Sequence, residues 1–438
     1  MSSVLDELAW RGLLYQRTAK DELDEHLEIP GRVGYCGFDP TADSLTIGNL
    51  VPIMLLVHWQ RAGHRPLVVV GGATGLIGDP SGRDRERPLL DAAQVEANVA
   101  KQRRIFERLL DFDSSAPNGA RILDNSAWLG DVRYVDFLRE VGKHFSVNAM
   151  IQKESVRERL DRRDQGISYT EFSYMLLQAF DYLHLRRTFD CTVQMAGSDQ
   201  YGNITAGIDL IHRTLGYHTA AFGFTAPLVT HSDGRKIGKS EGGSIWLSAD
   251  RTSAYAFYQY WINVADADAS PFLRRFTLLG REEIEALERT HAASPERRVA
   301  QRALAGHMTE RLHGAAERRR VEAASEALFE DGALESLDEA TLLEMAAELP
   351  HSDHDVALLA SDGLALLELL PATTLATSRR EAREFLEKGA ISLNGRRVGT
   401  GHRISSRDLL PGGVAFLRRG KRSWHAVRWS SQPASPRG

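Results

Sequence analysis

Residues 32 to 80 constrain the fold more than any other stretch of this chain. Arg32-Val33-Gly34-Tyr35-Cys36-Gly37-Phe38 reads as a short strand ending in Asp39-Pro40. A helical stretch follows from about Ile47 to Trp59. Arg65-Pro66-Leu67-Val68-Val69-Val70 is then a buried-strand pattern that breaks into Gly71-Gly72-Ala73-Thr74-Gly75. Strand, glycine turn and helix in alternation predict a parallel sheet with helical crossovers, an α/β architecture. Ligands of such sheets sit at the carboxyl ends of the strands. The unusual residues of this stretch fall at those ends, Tyr35 to Asp39 and Gly71 to Asp79.

The 438 residues are 42% hydrophobic and 26% charged. That suits a globular chain of two to four domains. No apolar run approaches the roughly 20 residues needed to span a bilayer. The first residues carry no leader pattern and read as an amphipathic helix burying Leu5, Leu8, Trp10 and Leu13. A cytoplasmic location is the expectation. The two cysteines, Cys36 and Cys191, lie far apart, and the fifteen histidines show no metal-ligand spacing. Neither a disulfide framework nor a structural metal is expected.

Charge is unevenly distributed. From Ser378 to Ser430 there are thirteen Lys+Arg against four Asp+Glu, a net of +9 in a chain whose total is −5, leaving −14 for the remainder. A basic module on an acidic protein is the footprint of a nucleic-acid partner. Residues 248 to 330 read as helical, residues 331 to 370 as a short acidic helical linker, and residues 371 to 430 as mixed structure with a hairpin turn at Asn394-Gly395. The tail from residue 431 to 438 reads as disordered.

Two motifs carry the chemistry. Thr46-Ile47-Gly48-Asn49 opens a helix after a strand, where free N–H groups and the helix dipole favour phosphate. Lys236-Ile237-Gly238-Lys239-Ser240 is a glycine-flanked loop with two ammonium groups. Together they resemble the HIGH and KMSKS signatures of the class I aminoacyl-tRNA synthetases. Threonine and asparagine stand at the two histidine positions of the first signature. By that resemblance Lys236 and Lys239, with Thr46, Asn49, Arg83 and Arg87, offset the charge that builds on departing pyrophosphate. Gly197-Ser198-Asp199-Gln200-Tyr201-Gly202-Asn203-Ile204 resembles the family's GGSDQ block, with Ala196 in place of the first glycine and Tyr201 in place of a usual tryptophan. The resemblance gives Cys36, Gly37, Asp39, Thr41, Gly48, Gly197, Asp199 and Lys239 to the nucleotide. ATP with Mg²⁺ is then the substrate complex, and no nucleophile from the protein is needed.

Tyr174, Gln178 and Asp181 fall on one face of a helix amid Phe, Met and Leu. Either they satisfy one another in the core or they line a polar pocket. Together with Tyr35 and Asp79 they resemble the tyrosine-specific branch of the family. That resemblance gives Tyr35 and Asp181 to a phenol, Tyr174, Gln178 and Asp79 to an ammonium group, and Gln200 to a carboxylate. A pocket built to bond a hydroxyl rejects the analogue lacking it, a rule for which this branch is itself the known illustration.

Residues 377 to 398 resemble the S4 RNA-binding module. Arg379, Arg380, Arg383, Arg396, Arg397, Arg418, Arg419, Lys421 and Arg422 would meet RNA phosphate, and Trp424 would stack on a base. The resemblance spans about residues 5 to 427. It implies a Rossmann-like catalytic domain (1–225), a helical anticodon-side domain (226–330), the linker (331–370) and an S4-like α+β domain (371–430). The implied partners are L-tyrosine, ATP and tRNA(Tyr), and the implied assembly is a homodimer in which residues 142 to 148 lie near the interface. The rival readings are an RNA-binding paralogue without catalysis, prompted by Thr46 and Ala196, and an enzyme for another aromatic amino acid.

Overall fold

A computed structural model describes residues 3–81, 90–153, 156–157, 160, 166–240, 243–329, 332–360, 362–420 and 423–431. By compactness the chain divides into one unit of residues 1–251 and 262–312 and a second of residues 252–261 and 313–438. This division cuts across the boundaries that composition suggests. Helices 254–262 and 315–327 belong with the carboxyl-terminal part, whereas the helices between them belong with the first unit.

The first unit is built on a five-stranded sheet, β1 (Val33–Phe38), β2 (Arg65–Val70), β3 (Arg121–Asp124), β4 (Cys191–Gly197) and β5 (Phe222–Ala226), in the order β3-β2-β1-β4-β5. Every pairing is parallel. Helices cover both faces, so the central strands are buried along nearly their whole length rather than on alternate residues. The helix α1 (Val4–Trp10) leads in, α2 (Ile47–Arg61) connects β1 to β2, and α3 (Ala92–Leu109) connects β2 to β3. Then α4 (Tyr169–Phe189) enters β4, and α5 (Tyr201–Leu215) joins β4 to β5. Tyr35, Tyr182, Ala179, Leu185 and Ile204 belong to one core cluster under the sheet. The expected parallel sheet and its first three elements are therefore present within a residue or two.

At the amino terminus Leu5, Leu8 and Leu13 are buried as expected. Trp10 is not: it is half-buried, with the guanidinium groups of Arg11, Arg274 and Arg281 at 5.3, 5.4 and 4.6 Å from its ring. Its helix lies with one stripe on the core, and Trp10 falls off that stripe, where cations cover its face.

The second unit contains another five-stranded sheet. Its strands are β6 (His351–Asp355), β7 (Ile391–Leu393), β8 (Arg396–Arg397), β9 (Val414–Arg419) and β10 (Ser423–Ser430), ordered β8-β7-β9-β10-β6. The stretch expected to be a helical linker thus supplies a strand. His351-Ser-Asp-His-Asp355 carries no apolar alternation, because it is an edge strand that among the described residues pairs, in parallel, only with β10. Asp353 holds the edge through two bonds from Arg428, at 2.7 and 2.9 Å. The hairpin at Asn394-Gly395 forms as expected, both residues having positive φ, 47° and 88°.

Candidate active site

The carboxyl ends of β1, β2 and β4 open into a cleft of about 580 Å³. Parallel register sets Tyr35 beside Leu67 on one side and beside Gln194 on the other. Tyr174, Gln178 and Asp181 reach the cleft from one face of α4. Asp79 enters from the loop after β2, and Gly197, Asp199 and Gln200 from the turn between β4 and α5. All three α4 side chains line the cleft.

The inner end is a connected polar network. Asp181 accepts bonds from the Trp128 indole N–H at 2.7 Å and from the Asn125 amide at 3.0 Å. The Asn125 amide also donates to the Thr74 hydroxyl at 3.0 Å, and that hydroxyl donates to Asp39 at 2.9 Å. Tyr174 donates to the other oxygen of Asp39, also at 2.9 Å. Asp39, assigned from sequence to the nucleotide, is therefore tied to Tyr174, assigned from sequence to an ammonium group. Beyond it, the Gln200 amide donates to Asp79 at 2.6 Å and to Asp199 at 2.9 Å. Asn203 donates to both Gln178 and Gln200 at 2.9 Å. Each side chain is oriented by a neighbour, so the walls are set before any ligand arrives.

One group stands outside this network. The Tyr35 hydroxyl is buried without a hydrogen-bond partner among the described residues. A buried hydroxyl left unpaired costs roughly 1–3 kcal/mol. The side-chain oxygen of Gln194, its neighbour across the strands, is likewise unpaired. Two orphaned polar atoms on residues that line the cleft mark where a ligand with a polar tip would lie.

Four carboxylates line the cleft, Asp39, Asp79, Asp181 and Asp199; among the described residues Lys236 is the only basic side chain that lines it. Burial pushes Asp181 up to about 7, outweighing the bonds from Asn125 and Trp128. Burial also raises Asp79 to about 6, and the charge of Asp39 adds to the effect against the Ser81 N–H that lowers it. Desolvation raises the Tyr35 and Tyr174 phenols and the Cys36 thiol, so all three stay neutral. Such a site favours a ligand that brings a cation.

The outer end is formed by α2 and the loop after β5. Asn49 accepts from the Thr46 N–H at 2.9 Å and from its hydroxyl at 3.0 Å. That fixes the amide so that its oxygen faces the cap and its NH₂ turns away. Thr46, Gly48, Asn49, Cys36, Gly37 and Thr41 all line this end. The chain that follows the Lys236–Ser240 loop lies against the start of α2: Ile47 donates to the Ile245 carbonyl at 3.1 Å, and Thr46 bridges to Trp246. Gly238 has φ +81°, and a Cβ there would meet Ile47 at 3.1 Å. Conformation and close approach both require glycine. Lys236 lines the cleft with an exposed side chain, and the Lys239 backbone pairs with Ser244. Arg83, Arg87 and the side chain of Lys239 lie outside what the structure describes.

Residues 32–330 match the family model described as tRNA synthetases class I (W and Y), and residues 346–427 match the Tyrosine--tRNA ligase SYY-like C-terminal domain. The Tyrosine--tRNA ligase of Roseiflexus castenholzii is 47% identical over 98% of this chain and 100% of its own length. That of Bacillus caldotenax is also 47% identical, with the same two shares covered. This chain belongs to the tyrosine–tRNA ligase family. Among solved structures, a C-terminally truncated mitochondrial tyrosyl-tRNA synthetase from Aspergillus nidulans superimposes with a TM-score of 0.69 at 29% identity, over 75% of this chain and 95% of that one. A tyrosyl-tRNA synthetase from Archaeoglobus fulgidus shares the fold at 17% identity and a TM-score of 0.53, over 72% of this chain and 99% of its own.

Sequence reasoning missed Asn125, Thr74 and Gln194, which line the cleft, and Trp128 and Asn203, which bond to the lining residues Asp181, Gln178 and Gln200. Asn125 and Trp128 follow β3, so the strand-end rule applied to that strand would have found them. Thr74 and Asn203 sit inside motifs that were recognised as blocks. Gln194 carries no sequence signal; only the strand register brings it to Tyr35.

The basic residues of the second unit divide into two groups. Arg379, Arg380 and Arg383 are exposed on the helix α7 (Arg379–Glu387), and Arg396 and Arg397 are exposed on β8. Of these, Arg396 pairs with Glu335 at 2.8 Å and Arg379 approaches Glu368 at 3.7 Å. Arg418 and Arg419 are half-buried and engaged with the fold. Arg418 lies 5.1 Å over the Trp424 ring, and Arg419 lies 4.8 Å over Phe385 and donates to the Leu375 carbonyl at 2.7 Å. Trp424 is 7% exposed, so its expected stacking role is corrected: it packs under Arg418 and against the edge of Phe329. Lys421 and Arg422 lie outside the described residues.

Proposed function

We propose that the cleft activates L-tyrosine with ATP, and that tyrosine is then passed to the 3′ end of tRNA(Tyr). The observation that carries this reading is the pairing of the unpartnered Tyr35 hydroxyl with Asp181 at the closed end of a carboxylate-lined cleft. A phenol inserted there would donate to Asp181 and accept from Tyr35. Its ammonium would meet Asp79, with Gln178 and Tyr174 beside it. Its carboxylate would point outward past Gln200, toward the start of α2.

There the nucleotide's phosphates meet the free N–H groups of the helix and the turned-out Asn49 amide. The ribose falls to Asp199 and the Gly197 turn. The tyrosine carboxylate attacks the α-phosphorus, the bond to the bridging oxygen breaks, and pyrophosphate leaves. Lys236 and Lys239, with Arg83 and Arg87, offset the negative charge that accumulates on it. Mg²⁺ accompanies the triphosphate as part of the substrate complex.

Arg380, Arg383 and Arg397, exposed and without ion-pair partners among the described residues, are proposed as the RNA-phosphate contacts of the second unit. A homodimer is proposed from residues 134 to 169, where Tyr134, Val135, Val147 and Tyr169 are each more than half exposed. The Tyr134 and Tyr169 hydroxyls lie 3.2 Å apart, so these side chains share one surface. Among the described residues no helix is long and apolar enough to cross a membrane. A cytoplasmic setting is proposed.

Tyrosine-dependent ATP–pyrophosphate exchange tests the reading, with phenylalanine and tryptophan as controls. Exchange with tyrosine alone supports both the chemistry and the pocket. A folded protein that binds tRNA but exchanges with none of the three would favour the non-catalytic RNA-binding reading.

A further inference from the structure

The loop that carries Lys236 is preceded by a tight turn with an unexpected anchor. His231 donates its backbone N–H to the Arg235 carbonyl at 2.8 Å, Gly234 donates to the His231 carbonyl at 2.9 Å, and Thr230 bridges to Lys236. Asp233 closes the turn by accepting from the Arg235 backbone at 3.0 Å and from its guanidinium at 2.7 Å. The turn is therefore a stiff unit whose last residue is Lys236 itself.

A helix distant in sequence, α6 (Asp266–Phe276), holds this unit. Asp268 is 5% exposed and lies in the first turn of α6. One of its oxygens accepts the Ser232 N–H at 2.8 Å, and the other lies 3.1 Å from Nδ1 of His231. One helical turn further on, Phe272 meets the edge of the His231 ring at 5.5 Å between centroids. Downstream of Lys236 the chain is pinned again, where Gly238 packs on the start of α2. Lys236 thus sits between two fixed points, and only the second belongs to the cleft.

We infer that Asp268, acting with His231, is a positioning residue for activation: it sets where the Lys236 ammonium stands relative to the departing pyrophosphate. The physical reason is leverage. A buried carboxylate gripping two successive residues fixes both translation and rotation of the turn, and an ammonium on a four-carbon stem needs such a base to be preorganised. Misplacement of a catalytic group by about 1 Å costs on the order of 100-fold in rate. Asp268 lines no part of the cleft, so its effect must pass through the turn. The inference rests on the proposed role of Lys236.

A double-mutant cycle in tyrosine-dependent pyrophosphate exchange tests it. Asp268→Ala is expected to lower kcat on the order of 10- to 100-fold and to leave the tyrosine KM unchanged, because the tyrosine pocket lies at the other end of the cleft. Asp268→Asn keeps an acceptor for the Ser232 N–H and is expected to recover most of the loss. In a Lys236→Ala background, Asp268→Ala is expected to cost little more. Equal losses from Asp268→Ala with and without Lys236 would overturn the inference, as would a parallel rise in the tyrosine KM. Should Asp268→Ala not fold, His231→Ala replaces it in the same cycle with the same two outcomes. If Lys236→Ala alone leaves kcat unchanged, the role of Lys236 fails first. If Lys236→Ala lowers kcat but neither Asp268→Ala nor His231→Ala does, only the anchor fails.

Discussion

The cleft of the first unit and the basic surface of the second handle charge in opposite ways. In the cleft, charged groups are withdrawn from water and fixed by one another: Asp181 is held by Asn125 and Trp128, Asp39 by Thr74 and Tyr174, Asp79 by Gln200 and the Ser81 N–H. On α7 and β8 the arginines stand in solvent. The difference teaches that charge counts mean different things in the two places. Inside, position decides, and one hydroxyl without a partner says more than four carboxylates do. Outside, number and exposure decide, and an arginine bound to its own fold must be subtracted.

That contrast can be broken most sharply at Lys236, the one described basic group lining the acidic cleft. Lys236→Ala is expected to lower kcat for pyrophosphate exchange by about 10²–10³-fold with the tyrosine KM unchanged, because the lost interaction forms mainly in the transition state. A rise in the tyrosine KM instead would place the ammonium near the amino acid.

Tyr35→Phe probes the orphaned hydroxyl. Selectivity for tyrosine over phenylalanine, measured as the ratio of kcat/KM, is expected to fall on the order of tenfold, the worth of one buried hydrogen bond. Thermal stability without ligand is expected to hold or rise, since the hydroxyl satisfies nothing in the free protein. A fall in Tm with unchanged selectivity would mean that Tyr35 is a packing residue.

Acidity supplies a third probe. Asp79, pushed up to about 6, attracts the ammonium proposed for it only when ionised. Below that pH the protonated form dominates, so tyrosine binding is expected to weaken as pH falls, by up to about tenfold per unit. Calorimetric titration from pH 5 to 8 would detect the trend, and Asp79→Asn should bind more weakly and keep only the part of the dependence that comes from Asp181, pushed up to about 7.

The smallest effects belong to the second unit. Arg380→Ala, Arg383→Ala and Arg397→Ala should each reduce the slope of log affinity for tRNA against log salt by about 1. Arg418→Ala should leave that slope alone and instead lower stability by roughly 1 kcal/mol, through loss of its stacking on Trp424. If Arg418 changes the slope and Arg383 does not, the division between exposed and fold-bound arginines is mistaken.

The sequence by itself determined the parallel α/β core, because uninterrupted apolar strands alternating with a helix leave few other solutions. It also determined most of the cleft. Tyr174, Gln178 and Asp181 interrupt an apolar helix, and such interruptions are visible along the chain, whereas Tyr35, Asp79, Asp199 and Lys236 are reached through motifs that resemble those of the family. Only the tertiary structure decided the rest. Asn125 and Trp128 act through a contact with Asp181 more than fifty residues away. Gln194 matters through strand register, and Asp268 through a helix that packs back on the loop. In the second unit, burial of Trp424 and the pairing of β6 with β10 overruled what composition suggested. Local patterns report which face of an element is apolar. Which polar groups then meet, and which cations are already engaged, depends on contacts between segments that no local pattern encodes.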